Sequence, residues 1–401
     1  MSRLFFAFLF LLAGVSSFAQ PAYLESYFNA LCSFKEKRFN EAKEYANQSL
    51  ANGLSEVDGF LFLGDVYTEM GEMGEAESNY LKAEAMKPGI AAFGIAQVCA
   101  ETGRDSLGCI WVLRSLESPY KLSQSIYLRN KRLQRMESSP YWKALWNGDY
   151  YSKGELLDAD LEYLISKGKY DEALDLLNEK GEKHRLRHQQ QALMGKIYYE
   201  QQSYFSAADN YSLAIKRSSR YPEYFSGRAK AYIMLEKYGK ALDDIQKAIE
   251  LDPLNPEFYL VKAKANVGFG NTEQSRVDFN LFLKATGQSP QALFEYVKLL
   301  EQGNFHIEAL RQINKCITLK PDVAEYYLTR ASIYMKTNGY KYAVDDYAMA
   351  LDLQPPTAAV YLQKGYARSA MGDSQGACID WKKAASMGSL DAQSMIARYC
   401  R

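Results

Sequence analysis

Three histidines and six cysteines are the residues of this 401-residue chain best suited to metal or redox chemistry. His184 and His188 stand four apart, a spacing that sets two imidazoles on one helical face for a transition-metal ion. They sit in the run KHRLRH, where Arg185 and Arg187 oppose a cation and no carboxylate alternates with them. An exposed or loop-packing role is therefore expected for both. Cys32, Cys99, Cys109, Cys316, Cys378 and Cys400 form no CxxC pair, which leaves the redox-motif and zinc-ribbon readings without support. Cys378 and Cys400 share the C-terminal segment. A bridge between them would close a loop of about 20 residues and contribute about 3 kcal/mol in the chain-entropy account; two buried thiols are the other reading. HExxH, GxSxG and the phosphate-binding GxxxxGK[ST] are missing, and GFGNTE at 268–273 lacks the third glycine of a dinucleotide loop. Neither an enzyme nor a cofactor is expected.

A repeat carries these residues. In EKYGKALDDIQKAIELDP (236–253) the residues Ala241, Leu242, Ile245, Ala248 and Ile249 follow the spacing of an amphipathic helix, stopped at Asp252-Pro253. Steps of 34 from Ala241 reach Ser275, Ala309, Ala343 and Ala377 going forward, and Ala207 and Ala173 going back. Ala42 and Ala76 are a further pair at the same interval. Twelve residues before each of the seven stand Leu161, Gly195, Ala229, Ala263, Val297, Ala331 and Gly365, mostly small. Seven residues after them stand Lys180, Ala214, Ala248, Phe282, Cys316, Ala350 and Ala384. Pro88, Pro253, Pro321 and Pro355 close individual units. Small residues at fixed points, with Tyr67, Tyr198, Tyr232 and Tyr334 between them, describe two antiparallel helices that cross closely.

A 34-residue unit of this pattern resembles the tetratricopeptide repeat. The resemblance covers 154–387 in seven contiguous copies, with two more at 23–90 and a shortened one at 89–118 around Gly108 and Trp111. It implies an all-α, right-handed superhelical solenoid of antiparallel helix pairs. The copy at 256–289 departs from the pattern: Ser275 and Phe282 stand where alanines are usual, and Asn266 replaces an aromatic. Looser packing and a bend are expected there. The tail GACIDWKKAASMGSLDAQSMIARYC resembles Sel1-like repeats and reads as ending in a capping helix over 388–401. In this family position 9 of each unit faces a concave groove. Lys196, Lys230, Lys264 and Lys298 hold that position in four successive copies. Neighbours would stand about 10–20 Å apart, beyond the roughly 8 Å screening length of physiological salt, and so act as separate contacts. Position 2 carries Glu155, Gln189, Glu223, Glu257, Gln291 and Glu325, where an acid also suits the helix dipole. The Lys and Asn set with which some members clamp a partner's C-terminal carboxylates occurs in no three successive units.

Residues 119–153 break the register. A basic helix from Lys121 to Met136 is expected, then Ser138-Ser139-Pro140, then Trp142 and Trp146 on one helical face. One reading is an adaptor and plug joining an N-terminal block (20–118) to the C-terminal block. The other is a junction pocket lined by Trp142 and Trp146, since aromatic anchors dominate binding interfaces.

Lys+Arg and Asp+Glu balance at 48 each, which removes any bulk electrostatic case for nucleic acid or an anionic membrane. Residues 1–19 have the parts of a secretory signal: Arg3, an apolar run from Leu4 to Val15, and small Ser17 and Ala19 before Gln20. The mature chain is expected to have no membrane span and to reside in a bacterial periplasm, or otherwise to be secreted. The expected function is a non-enzymatic scaffold of the cell envelope that binds protein through the groove, an acidic extended segment suiting the lysine column. The alternative is glycan or other ligand binding, with tyrosines, Trp142 and Trp146 as stacking platforms. The sequence does not set the oligomeric state.

Overall fold

The computed structural model describes residues 21–183, 186–287 and 289–400. The signal reading of 1–19 and the expectation for His184 lie outside the described residues. Among those residues the chain is all-helical, with 23 α-helices, one 3-10 turn and no strand. They form two compact units, one running to Ala231 together with Lys247–Pro256, the other Tyr232–Gln246 together with Glu257 onward. The adaptor segment 119–153 lies wholly inside the first unit, so the division falls within the copy that begins at 222.

In the first unit, helix pairs follow one another: α1 (Ala22–Lys35) with α2 (Phe39–Ala51), α3 (Glu56–Met70) with α4 (Met73–Met86), and α5 (Ala92–Glu101) with α6 (Asp105–Glu117). Two short helices, α7 (Gln124–Arg129) and α8 (Pro140–Leu145), flank the 3-10 turn Leu133–Met136. Pairing resumes with α9 (Lys153–Ser166) and α10 (Tyr170–Lys183), then α11 (His188–Glu200) and α12 (Tyr204–Arg217); α13 (Pro222–Met234) follows, its residues after Ala231 counted with the second unit. The next helix, α14 (Tyr238–Leu251), likewise has residues in both units. The second unit continues with α15 (Pro256–Phe269), α16 (Thr272–Thr286), α17 (Pro290–Gln302), α18 (His306–Leu319), α19 (Ala324–Lys336), α20 (Tyr340–Leu353), α21 (Ala358–Ala370) and α22 (Ser374–Ser386). Helix α23 (Leu390–Tyr399) packs on α22, and Cys378 is bridged to Cys400 with Cα atoms 5.6 Å apart.

The small-residue columns are buried. Ala173, Ala207, Ala241, Ala309, Ala343 and Ala377 are all 0% exposed. Large residues of the second helix fill the space their smallness leaves. An added Cβ at Gly365 would lie 2.4 Å from Trp381 Nε1, and one at Gly195 would lie 3.0 Å from the Tyr211 ring. The turn inside each copy is equally regular. Gly168, Gln202, Glu236, Gly270, Asn304, Asn338 and Gly372, each 34 after the last, all have positive φ. A left-handed residue at that point reverses the chain in the fewest steps, at some cost where it is not glycine or asparagine.

The copy at 256–289 is closed rather than loose. Ser275 is 2% exposed and its Oγ donates to the Ala263 carbonyl at 2.9 Å. Phe282 meets Phe279 edge-on, and Phe279 stacks on Tyr296 at 4.6 Å.

A polar ladder also recurs. Position 7 on the first helix and position 23 on the second pair as Arg330 with Asp346 and Lys364 with Asp380, with Lys262 near Asp278. The same cation reaches position 25 of the preceding copy: Arg330 donates to Asn314 at 2.6 Å, Lys262 to Gln246 at 3.3 Å and Arg228 to Ser212 at 2.9 Å. Burial pushes the Asp278 and Asp380 carboxyls upward, and the neighbouring cations oppose that shift. Asp346 is 3% exposed and takes both Nε and Nη2 of Arg330, at 2.8 and 2.7 Å. Breaking such a pair strands a cation, so Asp346→Ala should cost about 3 kcal/mol. The adjacent exposed Asp345→Ala should stay within about 0.5 kcal/mol. Denaturant titration of the two variants checks this, and equal midpoints would refute it.

Candidate functional site

The four lysines of the position-9 column are all exposed. Lys196 and Lys230 belong to the first unit, Lys264 and Lys298 to the second. In the second unit they do not stand as isolated cations. Lys264 lies 3.6 Å from Glu295, and Lys298 lies 3.7 Å from Glu295 and 3.5 Å from Glu325 of the next copy. Lys298 also sits over the Phe294 ring, 4.4 Å from its centre. The first helices therefore present an alternating row, Lys264–Glu295–Lys298–Glu325, and a parallel pair joins Lys336 to Glu301 at 2.6 Å. All four members of the row are more than two-fifths exposed in their side chains. Each pair is worth about 0–1 kcal/mol and yields readily to a competing charge.

The adaptor differs from the single basic helix expected from its sequence. Asn130 ends α7 in an extended conformation, and its Oδ1 accepts from the Arg132 and Leu133 amides at 3.1 and 3.0 Å. A side chain that satisfies two backbone donors locally competes with helix continuation. The basic residues beyond it dock onto the preceding helices: Arg132 pairs with Glu69 at 2.8 Å, and Arg135 with Glu101 at 2.7 Å.

Trp142 and Trp146 lie in the plug's core. Trp142 is 5% exposed and meets Trp146 edge-on at 5.6 Å, and Trp146 in turn meets Tyr127 and Tyr150. Leu133, Met136 and Leu145 belong to the same cluster, with Val112 and Leu116 of α6. A ring so enclosed has no free face for a sugar, so packing takes Trp142 out of the pocket role.

A hollow of about 360 Å³ does open beside the plug, lined by Lys121, Leu122, Tyr151, Glu155, Asp158 and Glu162 among others, and by neither tryptophan. Glu155 there is an N-terminal cap. Its carboxylate accepts from the Ser152 amide at 2.8 Å and pairs with Lys121 at 2.6 Å. The Lys121 hydrogen bond, aided by Ser152, brings its pKa down to about 2. The position-2 acid thus serves the helix start here, as the dipole requires.

Among the described residues no group of three or more His, Cys, Asp or Glu could hold a metal ion. His188 instead shares a hydrogen bond with the Tyr224 hydroxyl at 2.9 Å. No described helix is long and apolar enough to cross a membrane. Cys109 and Cys316 are free thiols pushed by burial to about 11, which makes them inert packing groups.

Family models of the tetratricopeptide repeat match residues 57–89 and 222–255, the latter in phase with the copy that begins at 222. The chain carries tetratricopeptide repeats at these two segments. Over 77 residues, 19% of its length, it is 34% identical to a FAM10 family protein of Arabidopsis thaliana, and it spans only 17% of that protein. A solved tetratricopeptide repeat protein from Parabacteroides merdae shares 22% identity, with TM-score 0.47 over 62% of this chain and 99% of that one. The C-terminal part of a repeat protein from Cytophaga hutchinsonii gives 17% identity and TM-score 0.46 over 59% and 98%.

Two features of this repeat protein escape a reading by family position alone. The position 7 and 23 ladder was present in the sequence as Arg228, Lys262, Arg330 and Lys364 standing 16 before Asp244, Asp278, Asp346 and Asp380. The cap at Glu155 was signalled by the pattern S-x-x-E at 152–155. A carboxyl with a depressed folded-state pKa stabilises above its unfolded value near 4.5, and that contribution disappears as pH falls toward 2. On acidification from about pH 5 to about pH 2.5, the wild type should therefore lose more thermal stability than Glu155→Gln. Parallel pH profiles would show that the pair contributes nothing.

Proposed function

We propose that this chain is a non-enzymatic adaptor of the cell envelope that holds protein partners along the exposed faces of its first helices. Tetratricopeptide repeats support a protein-interaction role, and the observation that carries the finer reading is the exposed row Lys264–Glu295–Lys298–Glu325. Its weak surface pairs can be exchanged for a partner's carboxylates at small cost. An extended segment rises about 3.4 Å per residue, so acids every three to six residues would meet successive lysines. Lys196 and Lys230 offer a second such stretch in the first unit.

Two experiments test this reading. Replacing Lys196, Lys230, Lys264 and Lys298 together by Glu should abolish co-purification of partners from the native envelope, and an unchanged set of retained proteins would overturn the groove role. Export is supported by the signal-like parts of residues 1–19. The chain recovered from the envelope should begin at Gln20; a chain that keeps Met1 and stays in the cytosol would refute that location.

A further inference from the structure

The turn between α12 and α13 gathers cations that the repeat architecture does not require. Two adjoining open hollows, of about 500 and 590 Å³, are lined by Leu186, Arg187 and His188 on one side and by Lys216, Arg217 and Arg220 on the other. No carboxylate lines either one. Arg187 is committed elsewhere, with Nη2 on Asp158 at 2.5 Å. Among the described residues, Arg220 reaches the Tyr221 hydroxyl and ring. Arg217 Nη1 is buried without a hydrogen-bond partner among the described residues.

The sequence columns show how unusual this is. Steps of 34 forward from Arg217 reach Leu251, Ala285, Leu319, Leu353 and Met387, so every later copy fills that place with an apolar side chain, and only the preceding copy, with Lys183, also carries a cation there. From Arg220 they reach Leu254, Gln288, Asp322 and Pro356. Basic residues at the end of α12 do suit its dipole, but the dipole accounts neither for a buried guanidinium nitrogen without an acceptor nor for Arg220 beyond the helix. His188 lines both hollows, its ring tilted against that of Tyr221 at 5.0 Å and its Nδ1 sharing a hydrogen bond with the Tyr224 hydroxyl. Its pKa is lowered by burial and then by Arg220, Arg187 and Arg217, so three guanidiniums bear on one ring. Like charges converging in this way are stable beside a counter-charge that brings acceptor oxygens.

We infer that the α12–α13 turn is a binding site for a phosphate-type oxyanion, held by Arg217, Arg220 and Lys216 above the His188 ring. Phosphate presents several acceptor oxygens to planar guanidinium forks, which is the geometry arginine serves best. The site is independent of the lysine row and stands or falls separately from it.

Calorimetric titration of the full chain with inorganic phosphate, against chloride at matched ionic strength, should show saturable binding. In the double variant Arg217→Leu/Arg220→Ser the affinity should fall about tenfold or more, the worth of one or two charge-assisted hydrogen bonds. Leucine is the residue of three sister copies, so the variant should keep the wild-type melting midpoint in chloride. Lys298→Ala should bind phosphate as the wild type does. Phenyl phosphate binding as tightly as free phosphate would assign the site to an ester presented by a larger molecule, whereas binding of inorganic phosphate alone would assign it to the free ion. Absence of saturable heat from either probe, or an unchanged affinity in a folded double variant, would overturn the site.

Discussion

The close crossing of the two helices in each copy is the constraint on which everything else depends. Backbones can approach this closely only where side chains are small, and the alanines at the crossing are fully buried. The smallness on one helix is matched by bulk on the other. The Tyr80 ring lies against both Gly64 and Gly94, where an added Cβ would come within 2.5 and 2.6 Å. Tyr211 plays the same part between Gly195 and Gly227. One large ring therefore bridges the first helix of its own copy and that of the next, so the contact that closes a copy also sets the docking of its neighbour. In a repeat array this nearest-neighbour contact is what extends order along the chain.

Electrostatics follows the same geometry. The position-7 cation sits where three helices meet and satisfies a carboxylate of its own copy and an amide or hydroxyl of the preceding one, as Arg330 does with Asp346 and Asn314. A half-buried guanidinium with oriented acceptors is directional where alanine packing is not, and it fixes the rotation of one pair against the last. Where the cation is missing, Tyr296 takes its column and stacks on Phe279, and Gln312 replaces the aspartate. Charge and counter-charge are lost together, which avoids leaving either one buried alone.

The fold was legible in the sequence because its cause is periodic. A crossing that demands a small residue writes one every 34 positions, and seven such positions are visible without any structure. The candidate site was less legible for two reasons. Position 9 located the lysines on an exposed face, but their pairing with Glu295 and Glu325 depends on side-chain reach between copies, which spacing alone does not give. The tryptophans carry a type signal that binding and packing share, and only the surroundings, Tyr127 and Leu133 among them, decide that Trp142 is enclosed. The adaptor failed as one helix through a single residue, Asn130, whose side chain caps the turn it interrupts.

Periodicity also separates architecture from function. A residue that recurs in its column, such as Ala343 or Asp346, is accounted for by the crossing or the ladder, and its presence says little about partners. A residue that departs from the apolar side chain all later copies carry in its column while exposing its neighbours to like charge, as Arg217 does, is not accounted for by either. The exposed lysines fall between these cases: they recur, so the array tolerates them at low cost, yet they stand on the exposed face and outside the buried crossing. The proposed contacts would therefore draw on two kinds of position, the recurrent exposed ones that give length to a contact and the departures that give it a fixed point.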